Sequence, residues 1–206
     1  ISPWNVPLYV NVGKVVPALL AGCTVVLKPA PDTPATAAFM GELAAEAGFP
    51  AGVFNVITSA DPVMAGETLV TDPRVDVISF TGSTGVGKRI MEKGAATLKR
   101  VFLELGGKSA NIILDDAPDF AMSVMQSIVI FHAGQGCAIP TRLLVPRCRY
   151  EEAVKALEMA YAGFATKWGD FDDPREARGP GARAREFVAR GMIADLNVHW
   201  DKAADG

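Results

Sequence analysis

The glycine-rich segment FTGSTGVGKRI, Phe80 to Ile90, is the first place where residue types and spacing suggest chemistry. Gly82 and Gly87-Lys88 stand at the spacing of the phosphate loop of nucleotide triphosphatases, in which backbone amides and a lysine hold phosphates. The acidic pair Asp115-Asp116 would then supply the magnesium ligand. The segment therefore raises two alternatives, an ATPase site or a turn that binds another phosphorylated nucleotide.

The residue after the lysine argues against the ATPase. A phosphate loop that uses magnesium needs a hydroxyl directly after its lysine, whereas this chain has Arg89, whose guanidinium cannot ligate a cation. What remains is a strand that ends at Phe80, a turn, and a helix that begins at Thr84. The first amides and the dipole of such a helix suit a bound phosphate. An ordinary turn that binds nothing is equally compatible with this motif alone.

The three cysteines are the candidate nucleophiles and metal ligands. They show no paired spacing and no metal-ligand intervals, which favours a reducing compartment, a cytoplasmic location and no metal site. Cys23 lies in LLAGCTVVL and is expected to be a small buried side chain, and Cys148 an incidental surface thiol. Cys137 follows the glycines of GQG, which would let a substrate approach closely, and is the best candidate nucleophile.

Alternating strand and helix signals surround these residues. Strands are predicted over Val25 to Leu27, Val53 to Ile57, Val75 to Phe80 and Arg100 to Glu104, and helices over Ala35 to Ala47, Pro62 to Val70 and Thr84 to Ala95. The first of these helices has Thr33 as its expected cap. The alternation predicts an α/β fold with an open parallel, Rossmann-like sheet, flanking helices, and ligands at the carboxyl ends of the strands.

After Gly106-Gly107 the pattern starts again, which predicts a second α/β unit over residues 107–206. Its predicted strands are Ala110 to Leu114 and Arg142 to Val145, and its predicted helices Pro118 to Phe131, Tyr150 to Thr166 and Ala182 to Asn197.

Composition excludes several other classes of protein. Half of the 206 residues are apolar and the net charge is −3, so nothing indicates a nucleic-acid surface. The longest uncharged stretch contains glutamines, glycines and serines, and no membrane span or targeting segment is predicted.

Five segments together resemble the aldehyde dehydrogenase superfamily: SPWNVP, GCTVVLKPA, FTGSTGVG, LELGGKSANII and GQGC, in that order. The resemblance covers nearly the whole chain through Gly179-Pro180. It implies that residues 1–106 are part of a dinucleotide-binding domain and residues 107–206 part of a catalytic domain. Because members of that family are well over twice as long, it also implies that parts before and after this chain are missing.

The resemblance implies three catalytic residues. Cys137 corresponds to the nucleophile, whose thiolate attacks an aldehyde carbon. Asn5 in PWN corresponds to the side chain that, with the Cys137 backbone N–H, stabilises the oxyanion. Glu104 corresponds to the general base that activates water to hydrolyse the thioester, and its neighbours Val101 to Leu103 predict an apolar setting.

The resemblance also implies the residues that bind the cofactor. Lys28 corresponds to the lysine that bonds the adenosine ribose, and Gly82 and Ser83 to the pyrophosphate contacts. Trp4 would form a wall of the cofactor cleft, and Gly106 would leave room for the cofactor to move before water enters. Taken alone, Lys28 reads as a surface lysine and Trp4 as a core aromatic.

Pro31 departs from the family pattern. Many NAD-using relatives carry a glutamate at this place, three residues after the lysine, where it binds the ribose hydroxyls and repels a 2′-phosphate. Asp32 stands next to it as a partial substitute. The expected cofactor is NAD, with NADP as the alternative.

Three other functions stay open at this point. In the main interpretation the chain is part of an aldehyde dehydrogenase, which at full length oxidises a small-molecule aldehyde as a homo-oligomer (dimer or tetramer). The first alternative is a catalytically incomplete fragment that acts as a binding module. An acylating relative that passes the thioester to coenzyme A would often lack the base at Glu104. A cysteine hydrolase built from Cys137 and His132 has no geometric reason for the two side chains to meet.

Overall fold

The computed structural model describes residues 1–127 and 135–165, without the side chains of 162–165. The chain divides into two compact units, Ile1–Gly106 and Gly107–Gly206. The predicted helix over residues 182–197, His132 and the last residues of the predicted helix 118–131 lie outside the described residues.

The first unit contains two pairs of parallel strands. β1 (Val25–Leu27) pairs with β2 (Phe54–Val56), and β3 (Val77–Gly82) pairs with β4 (Arg100–Leu105). Its helices are α1 (Pro7–Leu20), α2 (Ala35–Glu46), α3 (Pro62–Thr71) and α4 (Thr84–Gly94), followed by a short 3₁₀ turn at Ala95–Thr97. Parallel strands need long crossovers, and α2 and α4 supply them within each pair.

Ile1 and Ser2 join the two strand pairs through their backbone. Ser2 N donates to Lys28 O at 3.1 Å, directly after β1. On the other side, the Ile1 nitrogen donates to Ser79 O at 2.9 Å and Ile1 O accepts from Thr81 N at 3.2 Å. The segment that follows, with Trp4 and Asn5, therefore starts at the carboxyl ends of β1 and β3.

Two apolar clusters hold the first unit together. Ile78 and Phe80 of β3 pack with Val70 of α3 and Ile90 of α4, all at most 6% exposed. Val15 of α1, Leu27 of β1 and Ala37 of α2 form the second cluster. β4 alternates in burial, with Val101, Leu103 and Leu105 packed against the first cluster and Arg100, Phe102 and Glu104 exposed.

A local signal fixes where α3 begins. Asp61 caps α3, since its Oδ1 accepts from Val63 N at 3.1 Å and Met64 N at 2.9 Å, and Pro62 follows at the first helical position. An ion pair between Glu67 and Arg89 connects α3 with α4.

The second unit has one parallel pair of strands, β5 (Ser109–Ile112) with β6 (Pro140–Leu144), and two helices, α5 (Phe120–Met125) and α6 (Tyr150–Ala165). A 3₁₀ turn at Arg147–Arg149 precedes α6. Its core contains Ile113, Phe120, Val124, Val145, Ala153 and Ala156.

The predicted α/β fold with parallel strands and flanking helices is confirmed, with differences at α1 and at the end of β3. Helix α1 was not predicted, because its sequence contains Gly13 and Pro17, which are unfavourable inside a helix. In addition, Val6 at its cap position provides no side-chain bond. β3 continues two residues past Phe80, to Gly82. Within residues 1–127 and 135–165, no helix is long and apolar enough to cross a membrane.

Candidate functional site

Lys28 and Pro31 line one small pocket at the carboxyl end of β1. The pocket has a volume of about 170 Å³ and is lined by Lys28, Pro29, Ala30, Pro31, Pro34, Thr58, Ser59, Ala60 and Pro62. The strand buries the residues that follow it, so Lys28, Pro29 and Ala30 are all buried, whereas Pro31 is exposed. The structure therefore brings two of the predicted cofactor residues together.

Lys28 carries a buried positive charge. Its residue is only 6% exposed, and its Nζ donates to the carbonyl of its neighbour Pro29 at 3.3 Å. Burial lowers the pKa of Lys28 below the ordinary value of 10.5. The expectation of a surface lysine, as the residue would read alone, is therefore wrong.

Gly82 and Ser83 form the turn between β3 and α4. Ser83 caps the helix, since its Oγ accepts from Val86 N at 3.4 Å. A side chain at Gly82 would require a shift, because a Cβ there would lie 2.5 Å from Cζ of the buried Phe80 ring. The turn presents helix amides at the carboxyl end of a parallel strand, a position that suits phosphate.

Glu104 lies on the strand next to that turn. In the β3–β4 register Glu104 is the partner of Thr81, and Leu105 is the partner of Gly82. The predicted apolar setting is wrong in part, because alternation along β4 turns Val101 and Leu103 to the core while Glu104 is exposed. Gly106 follows in an exposed turn, where an added Cβ would meet nothing within 4 Å.

Lys14 is a charged residue near Glu104 that the sequence analysis missed. Its half-buried side chain extends from α1 to β3, where Nζ donates to Ser79 Oγ at 2.8 Å. Burial lowers the pKa of Lys14 from 10.5, and the Glu104 carboxylate acts in the opposite direction, which places the two charges within each other's field. The sequence held one signal that could have identified Lys14, because it is the one charged residue between Pro7 and Leu20.

Asn5 and Trp4 belong to the first unit as well. Asn5 is half-buried, and Trp4 is 48% exposed, so Trp4 is not the core aromatic that it would be in isolation. Both directly precede α1, in the segment that Ser2 and Ile1 tie to the ends of β1 and β3.

Cys137 lies in the second unit, exposed in a turn just before β6. The expectation that the adjacent glycines let a substrate approach closely stays a prediction, and Gly136 also has a packing reason to be glycine. A Cβ at Gly136 would lie 2.6 Å from Cγ1 of Ile139, so this glycine accommodates a side chain of its own turn. Gly134 and His132 lie outside the described residues.

The two other cysteines are exposed. The expectation that Cys23 is buried is wrong, because it follows α1 in a turn whose Gly22 has φ of +79°. Cys148 is the surface thiol that its position between two arginines predicted.

Parallel strands and crossover helices define an α/β protein, and the groups at the ends of its strands suit a phosphate. Comparison with known proteins makes the assignment specific: residues 1–192 match the profile of the aldehyde dehydrogenase family. The chain belongs to the aldehyde dehydrogenase family.

Three relatives illustrate the similarity. An aldehyde dehydrogenase of Enchytraeus buchholzi is 44% identical over 183 residues, which cover 87% of this chain and 36% of the relative. An NADP dependent enzyme of E. coli has a crystal structure with a TM-score of 0.73 and 44% identity, over 78% of this chain and 34% of that one. A mutant of aldehyde dehydrogenase C from Pseudomonas syringae, in complex with NAD+ and octanal, gives a TM-score of 0.74 and 42% identity, over 79% and 34%. The chain thus spans about a third of the length of these relatives.

Proposed function

We propose that this chain carries the cofactor site and the catalytic groups for oxidising an aldehyde to a carboxylic acid with NAD or NADP. The observation that carries the proposal is the register of β3 and β4, which puts Glu104 beside the phosphate-suited turn Gly82-Ser83 at one sheet end. Membership of the family supports the reaction class.

The residues present fit a dinucleotide. Lys28 supplies a buried cation at the end of β1, and Gly82 and Ser83 supply a helix N-terminus at the end of β3. In this assignment Lys28 and Pro31 hold the adenosine ribose, and the Gly82-Ser83 turn holds the pyrophosphate. Trp4 and Gly106 remain predicted cofactor contacts.

The catalytic steps then follow from three side chains. The Cys137 thiolate adds to the aldehyde carbon, and the Asn5 amide with the Cys137 backbone N–H would stabilise the alkoxide of the resulting thiohemiacetal. When bound, the nicotinamide supplies the acceptor for the hydride of that carbon, which leaves a thioester on Cys137. Glu104 takes a proton from water, the hydroxide attacks the thioester carbon, and the thiolate leaves as the acid is released.

Lys14 has a supporting place in this scheme. Its charge lies in the field of the Glu104 carboxylate, so the two opposite charges attract. The homo-oligomeric full-length protein and the cytoplasmic location stay predictions.

Reduced-cofactor absorbance with a panel of aldehydes and NAD or NADP tests the proposal. We expect Cys137→Ala to abolish turnover and Cys148→Ala, which removes another exposed thiol of the same unit, to leave it unchanged. Glu104→Gln should give one turnover of reduced cofactor and then stop, because the thioester is no longer hydrolysed.

Three outcomes would overturn parts of the proposal. Undiminished turnover in Cys137→Ala would exclude this nucleophile. Nucleotide binding without turnover of any aldehyde would support the alternative, a binding module. A product that forms only with coenzyme A would indicate the acylating reaction.

A further inference from the structure

β1 and β3 face each other across a cavity of about 390 Å³ in the first unit. We call this cavity the interstrand slot, and its strand residues are Val25, Val26 and Leu27 on one side and Val77, Ile78 and Ser79 on the other. Within the described residues, β1 pairs only with β2, and β3 pairs only with β4. The slot therefore has a free strand edge on each side, and a free edge is a template for a further strand.

The hydrogen bonds of β1 show which of its backbone groups point into the slot. Val25 N donates to Val53 O, just before β2, at 2.8 Å. Leu27 O accepts from Ile57 N, just after β2, at 2.9 Å. Because backbone groups alternate in direction along a strand, Val26 turns its N–H and C=O to the slot.

The same alternation holds in β3. Asp76 O accepts from Arg100 N at 3.1 Å, on the side of β4. Val77 and Ser79 therefore turn their N–H and C=O to the slot. Ser79 O does accept a bond on that side, from Ile1 N at 2.9 Å. A segment in the slot would thus find backbone donors and acceptors on both sides.

Ile1 and Ser2 show the width and the direction of the slot at one end. Ile1 N donates to Ser79 O and Ile1 O accepts from Thr81 N, which is the bond pattern of a residue in a strand parallel to β3. Ser2 N donates to the opposite side, to Lys28 O at 3.1 Å. Consecutive residues thus bond to opposite neighbours, as they do in a central strand. The gap at this end is one strand wide, and a strand in it runs parallel to β1 and β3.

The walls of the slot favour an apolar, uncharged occupant. Val15 and Ala18 of α1 and Leu69 of α3 line it together with the strands. Strands of a parallel sheet covered by helices are typically runs of Val, Ile and Leu. Burial lowers the pKa of the Ile1 amino group from 8.0 to about 5, so this group is uncharged at neutral pH.

The charged residues that line the slot do not call for a charged occupant. They are Lys14, Arg74 and Asp76. Lys14 Nζ donates to Ser79 Oγ at 2.8 Å, and Arg74 forms an ion pair with Asp72 at 2.6 Å. Asp76 is exposed, so water solvates its carboxylate.

We propose that the interstrand slot binds an extended apolar segment of another polypeptide, which adds as a strand between β1 and β3 and runs parallel to both. The three slot residues of each strand span about 10 Å at roughly 3.3 Å per residue, so the segment is about three to five residues long. Backbone bonds to Val26, Val77 and Ser79 supply affinity, and the apolar lining selects the side chains. The inference does not rest on the proposed function, since neither cofactor nor aldehyde takes part.

Fluorescence anisotropy of a labelled peptide tests the proposal. The probe is fluorescein-Lys-Lys-Gly-Val-Val-Ile-Val with an amidated carboxyl end, in which the lysines keep the apolar part in solution. One control peptide replaces the isoleucine by proline, which has no N–H for the ladder, and another replaces it by glutamate. We expect saturable binding of the probe to the 206-residue chain, and binding of both controls that is weaker by about tenfold or more.

Two variants of α1 localise the binding. Ala18→Trp should abolish it, because the larger side chain fills the slot. Val16→Trp is the matched control, since Val16 is exposed on the same helix and does not line the slot. Circular dichroism checks that both variants fold, and the control peptides decide the question if Ala18→Trp does not.

Hydrogen exchange distinguishes an added strand from other apolar binding. With the probe bound, the amides of Val26 and Ser79 should exchange about tenfold more slowly or less, because they gain partners. The amides of Leu27 and Ile78, whose backbone groups point away from the slot, should change little.

Each contrary result overturns the proposal for a different reason. Equal binding of the probe and the proline control would exclude an added strand. Binding that survives in a folded Ala18→Trp variant would place the peptide elsewhere. Self-association of the chain that Ala18→Trp removes, without binding of the probe, would assign the slot to a second copy. None of these results concerns aldehyde oxidation, so each would leave the proposed function standing.

Discussion

The turns after β1 and β3 are two different answers to the same chemical problem. Both follow a parallel strand of the first unit, and both are assigned here to a phosphorylated nucleotide. The turn after β1 is buried and proline-rich, and it offers one ammonium, that of Lys28. The turn after β3 is exposed at Ser83, contains no charged residue before Lys88, and offers the amides of a capped helix. One site depends on a side chain and the other on backbone geometry, so different substitutions should damage them.

Lys28→Met should have the largest effect, and only on the first turn. Loss of a charged hydrogen bond should lower nucleotide affinity by about 1.5–3 kcal/mol. Stability at neutral pH should not fall, since a buried ammonium without an acidic partner opposes folding. Calorimetry with AMP and urea unfolding measure the two quantities.

The pH dependence of the same variant sharpens the comparison. Burial lowers the pKa of Lys28 in the folded state, so between that value and 10.5 the unfolded chain holds more protons. The free energy of unfolding should therefore gain a contribution that rises with pH across this window, and Lys28→Met should lack it. An unchanged slope would mean that Lys28 is not desolvated.

Gly82→Ala should come second, and it acts through packing. The new Cβ would lie 2.5 Å from Cζ of Phe80, so the buried ring must shift, at a cost of about 1–3 kcal/mol in the free energy of unfolding. Gly85→Ala, in the first turn of α4, is the matched control, because its Cβ would meet nothing within 4 Å. The control should stabilise α4 by up to about 1 kcal/mol. Equal urea midpoints for the two variants would contradict the assigned packing.

Ser83→Ala should come third. Removing a helix cap lowers the free energy of unfolding by about 1 kcal/mol, and the 3.4 Å bond from Val86 N favours the lower end of that range.

Lys88→Ala should change stability by less than about 0.5 kcal/mol and leave nucleotide binding intact, because Lys88 is exposed. A large loss of binding in Lys88→Ala would revive the phosphate-loop interpretation.

The sequence predicted most of the strands because parallel strands are short apolar runs that end in turn residues. β1 was placed to the residue, whereas the end of β3 was missed because Thr81 and Gly82 look like turn residues. The starting points of the helices were predicted less well than the strands. Thr33 does not cap α2, which starts behind Pro34 without a side-chain bond, and α1 was missed because it too has no cap signal.

The residues of the candidate site were likewise predicted only in part. Motifs that resemble the family indicated Lys28, Glu104 and the Gly82-Ser83 turn as candidates, and each stands at or just after the end of a predicted strand. They did not locate Lys14, because its role depends on an unpredicted helix that crosses to Ser79. Nor did they indicate that Lys28 is buried, since burial of a lysine is a property of packing that no local pattern records.

The prolines of the β1 pocket have one more consequence. Four of its nine lining residues are proline, and proline has no backbone N–H to give. The pocket therefore has few backbone donors to offer, so a ligand that accepts hydrogen bonds must obtain its hydrogens from side chains, of which Lys28 is the one that carries a charge.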